Sequence, residues 1–359
     1  MLWYAGDPNG AQVIDLAGNP ACLKIESNDT HTAKQYSLTD FMVRVKVCPL
    51  CARLVAPCRP LFYVNQFFWR ILVVECDQCH LVFKTAQITE SALAVVYQAG
   101  YSNFAQSESQ ESLATVHPRL SRLGPPNQRR HLDIGCGAGL FVMAAREAGF
   151  ESYGIDPFLP DINAKLKNWV RKGDIRQSHF RASLGRFELV TLWAVWEHLR
   201  EPLATVRAAL EVLAPGGLLI LNCPNGASLH AVLRGSNWYM ATLVEHFTFL
   251  TPDACEYLTK VAPVRVQRLR HCGAMFPAGT GCSGPDAQGL NSVALSQLFS
   301  GIRPDELTGM ASKHDLARSR FRARAMSIVR KPIIANLVRK FLTATGVGDH
   351  LEVHFRHVG

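Results

Sequence analysis

The chain has 359 residues, of which 48% are hydrophobic, and it carries a formal net charge of +9 at pH 7. That length holds one large domain or two smaller ones with ample core, and the composition is that of a globular protein, not a disordered tail. No apolar run reaches the roughly 18 residues of a membrane span. The N-terminus also lacks the basic start and apolar stretch of a secretion signal, so the sequence predicts a cytoplasmic protein whose 11 cysteines are not a disulfide framework.

Residues 1–45 alternate weakly (Val13, Ile14, Leu16; Leu23, Ile25) among Gly, Pro, Asn and Asp and are expected to form short strands or a loose arm. Residues 46–87 hold two cysteine pairs, Cys48-Pro-Leu-Cys51 and Cys76-Asp-Gln-Cys79. Two intervening residues let both thiolates of a turn face one ion. The stretch between the pairs contains Leu61–Val64 and Ile71–Val74, which read as a hairpin. Two knuckles joined by strands describe a zinc ribbon with four thiolates in a tetrahedron, a closed shell and hence a structural site. Such knuckles often place glycine after the second cysteine. Ala52 and His80 stand there instead, and Cys58 or His80 could substitute as a ligand. Residues 88–127 read as a helical linker or lid: Ile88, Leu93, Val96 and Tyr97 have helical spacing, Thr89 suits a cap, and Gly124-Pro125-Pro126 breaks the chain.

The stretch His131–Gly139 organises the remainder of the chain. Leu132 and Ile134 flank Asp133 as at the end of a buried strand, Gly135, Gly137 and Gly139 come next at alternate positions around Cys136, and Leu140–Ala145 is helical in pattern. Strand, glycine turn and helix open a nucleotide-binding βαβ unit. A dinucleotide fingerprint wants a small residue where Leu140 stands, and Asp133 would repel a phosphate, so a pyrophosphate fits poorly. Asp133 suits the ammonium of an amino acid. Asp156, followed by Pro157, ends the next strand 23 residues later (156 − 133), about where a ribose diol is held. Adenosine with an amino-acid tail is S-adenosylmethionine.

On these residues the chain resembles a class I S-adenosylmethionine-dependent methyltransferase of the ubiquinone-type, small-molecule group. The resemblance implies a Rossmann-like seven-stranded α/β sheet with helices on both faces over residues 128–359, closed by an antiparallel last strand. Ile162–Val170 reads as a helix, and Gly173-Asp174-Ile175 matches the family's adenine contact, an acid for the amine and an apolar side chain for the ring. Phe187–Trp193 is the expected fourth strand, with Trp193 at the donor site, and Trp196-Glu197-His198-Leu199 stands at its carboxyl end, where ligands of open sheets bind. His198 could take a proton as the methyl moves, or Glu197 and His198 could brace the loop. A helix to Leu213, a stop at Ala214-Pro215-Gly216-Gly217 and a fifth strand Leu218–Asn225 complete the match. Residues 226–250 form an insertion holding His246, which either faces the substrate or seats the insertion. Val264–Leu269 and His350–Phe355 read as the last two strands, separated by a second insertion at about 272–343.

Between Lys313 and Lys340 stand nine Lys/Arg and one acid, Asp315, so that segment holds +8 (9 − 1) of the total charge. With the apolar series Ile328, Ile333, Leu337, Phe341, residues 312–343 could lie on a membrane, meet a lipid-linked substrate, or pack on the core. The absence of interleaved aromatics argues against nucleic acid. The favoured expectation is methylation of a small-molecule hydroxyl of a sugar, lipid-linked compound or secondary metabolite. An RNA methyltransferase gripping its strand through the ribbon, or a cofactor-binding module without catalysis, are the alternatives. Oligomeric state has no signature in the sequence.

Overall fold

A computed structural model describes residues 22–25, 34–37, 42–66, 69–90, 92–93, 116, 118–159, 166–272 and 348–359. The part of the expected linker or lid helix around Val96 and Tyr97 and the basic segment 312–343 lie outside them.

The N-terminal third is antiparallel. Strands β1 (Cys22–Ile25) and β2 (Lys34–Ser37) pair with each other, and β3 (Met42–Arg44) pairs with β7 (Ala86–Ile88). Strands β4 (Arg59–Gln66) and β5 (Trp69–Glu75) make the hairpin expected between the cysteine pairs, and β6 (Val82–Lys84) extends it. Thr89 caps as expected, its Oγ1 accepting from the Ala92 amide at 3.4 Å.

The rest of the described chain is organised on a seven-stranded sheet. Its strands are β8 (Arg130–Ile134), β9 (Glu151–Asp156), β10 (Val170–Lys172), β11 (Phe187–Trp193), β12 (Leu213–Pro224), β14 (Val264–Cys272) and β15 (His350–His357), in the order β10-β9-β8-β11-β12-β15-β14. Every neighbouring pair through β12 is parallel; β15 runs antiparallel to both its neighbours. Successive residues of a strand face opposite sides. Leu189 and Ile220 therefore pack with Phe141, Ala144 and Ala145 of the helix Leu140–Glu147 on one face. On the other face Val190, Leu192, Leu219 and Leu221 pack with the helices Pro202–Val212 and Pro252–Val261. That is the layered α/β architecture the sequence predicts. The helix Pro252–Val261 starts as its sequence directs, with proline in the first turn and the Thr251 hydroxyl accepting from the Ala254 amide at 3.0 Å.

Two local expectations fail. The helix read from Ile162 to Val170 does not reach Val170, which opens the third strand β10; of that strand only Val170 is buried, so a short edge strand ending in Arg171 and Lys172 shows no readable alternation. Ala214–Gly217 is not a clean stop before a strand. It bulges inside β12, where Leu213 pairs with Phe187 and Leu218 with Leu189, and Gly216 takes φ +69° there.

The cysteine-rich unit is joined to this sheet by a strand the sequence did not reveal. Thr248–Phe249 (β13), from the insertion after β12, pairs antiparallel with β6. The core is continuous across that junction: Cys48, Leu50, Cys76, Cys79 and Phe83 share one apolar cluster with Leu250, Ala254 and Leu258.

Candidate active site and cysteine centre

At the carboxyl edge of the sheet, Asp133 is opposite Gly154 on β9 and Thr191 on β11. Its neighbours on that face form a buried polar chain. The Thr191 hydroxyl donates to Asp133 Oδ1 at 2.6 Å and lies 2.8 Å from His131 Nε2, while His131 Nδ1 lies 2.8 Å from Ser152 Oγ. Because Thr191 spends its proton on Asp133, His131 must donate from Nε2 and accept from Ser152 at Nδ1. Burial, with Arg129 nearby, depresses His131 to about 3, so the ring is neutral, as this pattern requires. Burial lifts Asp133 to about 7, against the opposing pull of the Thr191 bond and of Arg119.

The glycine turn is closely fitted. Gly135, Gly137 and Gly139 all have positive φ, and a Cβ on Gly135 would stand 2.5 Å from Val195 Cγ2. Gly154 has a different reason to lack a side chain: a Cβ there would meet Cys136 Sγ at 2.6 Å. The Asp156 carboxylate, 4% exposed, accepts from the Gly137 amide at 3.0 Å and from the Phe158 amide at 2.7 Å, flanking Pro157. It thus ties the turn after β8 to the end of β9, the two places the sequence assigned to one ligand. Asp174 and Ile175 lie just beyond β10. Arg176 forks onto Asp174 (Nη2–Oδ2 2.6 Å), and although burial opposes it, that bonding holds the carboxyl below its ordinary range. Trp193 is buried edge-on to Phe141 at 5.5 Å, with its indole N–H lacking a protein partner among the described residues.

Arg119, absent from the residues expected on sequence grounds, belongs to this group. Its guanidinium carbon is 5.5 Å from the Trp193 ring centre, and its charge acts on Asp133, Glu197 and His350. No motif marks it; only the fold carries the segment before β8 over this edge.

Glu197, His198 and His246 do come together. The two imidazoles are perpendicular with centres 4.7 Å apart, and one ligand-type atom from each of the three side chains lies within 4.8 Å of the others. Two histidines and a carboxylate so placed could share a proton or hold a divalent ion. Burial lowers His198 to about 4 and His246 well below the ordinary value; it raises Glu197 to about 8. All three are therefore uncharged near pH 7. Glu197 Oε2 and His246 Nδ1 have no hydrogen-bond partner among the described residues.

The four knuckle cysteines also converge. Cys48 and Cys79 sulfurs are 3.4 Å apart, Cys51 and Cys76 3.5 Å, and all four lie within 4.8 Å of one another. A tetrahedron of sulfurs with bonds of about 2.3 Å has edges of roughly 3.8 Å, so the set fits a metal such as zinc. The Cys79 hydrogen bond draws Cys48 down to about 6, while burial pushes Cys51 up to about 12. Without a cation these thiols cannot all ionise in so buried a place. His80 is otherwise engaged, with Nδ1 3.0 Å from Glu75 Oε1 and its carbonyl accepting from Thr251 Oγ1 at 2.9 Å. Cys58 groups with Cys76 and Asp77, beside the four. Ala52 and His80 close equivalent turns onto the Cys48 and Cys76 carbonyls with φ near +60°, the left-handed conformation glycine prefers. Ala52→Gly is expected to raise stability by about 0.5–1 kcal/mol, read as a higher melting temperature.

Sheet order, glycine turn and acids at two strand ends make an open α/β sheet with its polar groups gathered at the carboxyl edge, where ligands of such sheets bind. Residues 105–261 match a family model described as a methyltransferase domain. Among curated proteins, the chain is 32% identical over 157 residues to a ubiquinone biosynthesis O-methyltransferase of Cereibacter sphaeroides, covering 40% of this chain and 64% of that protein. It is 24% identical over 140 residues to the enzyme of the same name from Escherichia coli, covering 37% and 55%. The chain thus spans less than two thirds of these relatives. A solved S-adenosylmethionine-dependent methyltransferase from Archaeoglobus fulgidus aligns over 70% of this chain and 99% of its own, at 18% identity and a TM-score of 0.41.

Proposed function

We propose that the protein transfers a methyl group from S-adenosylmethionine to a hydroxyl of a small-molecule acceptor, with a structural zinc ion held by Cys48, Cys51, Cys76 and Cys79. The observation that carries the reading is Asp156, which joins the turn Gly135–Gly139 to the second strand end beside Asp133. In this reading Asp133 meets the donor's ammonium, Arg119 and the Trp193 N–H its carboxylate, Asp156 and Pro157 the ribose, and Asp174 and Ile175 the adenine. Cys136 and the glycines leave room for the chain of the ligand.

When bound, the donor supplies a methyl on a cationic sulfur, whose leaving group is neutral. The residues must align the acceptor, exclude water and take one proton. His198 and His246 are both neutral at pH 7 and can accept that proton from a hydroxyl as the oxygen–methyl bond forms. Glu197, protonated below about pH 8, leaves the pair uncharged beside a cationic donor. The names of the curated relatives support oxygen as the nucleophile.

Calorimetry with S-adenosylhomocysteine tests the donor site, and labelled-methyl transfer to a metabolite extract tests the reaction. Asp156→Ala should abolish measurable binding. His198→Ala and His246→Ala should leave binding within about threefold and lower turnover at least tenfold. Unaltered turnover in both would assign the proton elsewhere, and absent binding by folded wild-type protein would reject the reading.

The pH dependence of binding is set by Asp133. Its carboxyl is protonated below about pH 7 in the ligand-free protein, whereas a bound ammonium requires the carboxylate. Affinity for S-adenosylhomocysteine should therefore fall by up to about tenfold per pH unit below pH 7, with a proton released on binding. Titrations in buffers of different ionisation enthalpy measure that proton directly; no release at pH 6 would contradict the assignment.

A further inference from the structure

His246 lies on a short run, residues 241–249, that the cysteine-rich unit fastens from outside the methyltransferase domain. Gln66, on β4 and 4% exposed, donates from Nε2 to the carbonyls of Ala241, Thr242 and Leu243 at 3.3, 3.1 and 2.8 Å. These are carbonyls at the end of the helix Tyr239–Thr242, where helical partners run out. Lys84, on β6 and wholly buried, donates from Nζ to the Leu243 carbonyl at 2.5 Å. That carbonyl also accepts from the backbone amide of His246 at 3.3 Å. On the far side of His246, the Lys84 amide donates to the Phe247 carbonyl at 3.0 Å, and β6 pairs with Thr248–Phe249.

A lysine is a costly way to fill a core. Burial brings Lys84 down to about 7, with the charge of Glu245 opposing. An apolar side chain of equal length would avoid that cost but would leave the Leu243 carbonyl without this donor. The groups facing Lys84 are Glu245, His198 and His246, on the loops that carry the candidate proton acceptors.

We propose that Lys84 and Gln66 are positioning residues: by gripping the Leu243 carbonyl they hold His246 edge-on to His198 at the reacting end of the donor site. The cysteine-rich unit thereby supplies one wall of that site. The proposal rests on the reading that His246 faces the acceptor, and its test separates the two.

Gln66→Glu sets an acceptor against three carbonyl oxygens; Lys84→Met removes the amine, keeps the length, and serves if the first variant fails to fold. Three measurements are made on the full chain: nuclear Overhauser contact between the rings of residues 198 and 246, the rate of carbethoxylation of His246 by mass spectrometry, and calorimetric binding of S-adenosylhomocysteine. The expected result is loss of the 198–246 ring contact and at least a tenfold faster modification of His246. The ring contact of His131 with Phe141, centres 5.6 Å apart, should persist, and affinity should stay within about threefold of wild type. Unchanged ring contact and modification in folded variants would overturn the proposal. So would loss of the His131 contact together with a tenfold loss of affinity, since the two residues would then support the domain as a whole. Failure of the wild type to bind S-adenosylhomocysteine would remove the methyltransferase reading and leave the histidine measurements to judge the clamp alone.

Discussion

The Asp133→Asn variant will bind S-adenosylhomocysteine about 10- to 100-fold more weakly than wild type, and its ligand-free form will melt at a higher temperature at pH 8. Both effects have one source. A charge-assisted bond between a carboxylate and an ammonium contributes about 1.5–3 kcal/mol, and the amide cannot supply it. The same carboxylate burdens the empty protein. Its folded-state pKa, about 7, lies above the ordinary 3.8 because burial disfavours the charge. Between those values the folded chain holds a proton that the unfolded chain has lost. The group's contribution to stability therefore declines as pH rises through that window, and the full cost is present above pH 7. Asparagine carries no such cost, and its oxygen still accepts from Thr191. Melting curves at pH 5 and pH 8 should show a gain that is smaller at the lower pH. Equal affinities for the two proteins would remove Asp133 from the donor site.

The second large effect concerns the cysteines. Under the proposed zinc centre, Cys76→Ser or Cys79→Ser is expected to abolish metal binding and lower the melting temperature by about 10 °C or more, since folding free energy and metal binding are linked. Both positions are fully buried in the core shared with Leu250, Ala254 and Leu258. Release of the knuckles also frees β6, which comes soon after Cys79 and pairs with Thr248–Phe249. The damage should therefore reach the histidine pair as well as the fold. Cys58→Ser is the comparison: its sulfur bonds weakly to the Leu54 carbonyl at 3.7 Å and lies beside Cys76 and Asp77, but it stands outside the set of four. Metal analysis should find one zinc per chain in wild type and Cys58→Ser, and none in the other two. Equal metal content in all four proteins would dismiss the four-thiolate centre.

Much of the strand-end geometry around Asp133 and Asp156 was readable in the chain because its determinants are local. A glycine turn, an acid before it and an acid at the next strand end are short patterns fixed by backbone sterics, and they stand in the structure as the sequence placed them. The cysteine pairs were readable for the same reason, since two-residue spacing is a property of a turn. Arg119 was not, because no short pattern marks it and two of the groups its charge reaches, Glu197 and His350, are far along the chain. Nor was β10, a three-residue edge strand with one buried side chain.

The sequence by itself determined the layered α/β sheet, the glycine turn with Asp133 and Asp156 at its strand ends, and the grouping of Cys48, Cys51, Cys76 and Cys79. Tertiary structure alone decided that Thr191 and His131 form a relay beneath Asp133, that His198 and His246 meet, and that Lys84 and Gln66 reach the Leu243 carbonyl. The physical reason is range. Propensity and spacing act within a few residues, whereas these contacts join partners from tens to well over a hundred residues apart, brought together only when the sheet forms and the cysteine-rich unit docks against it.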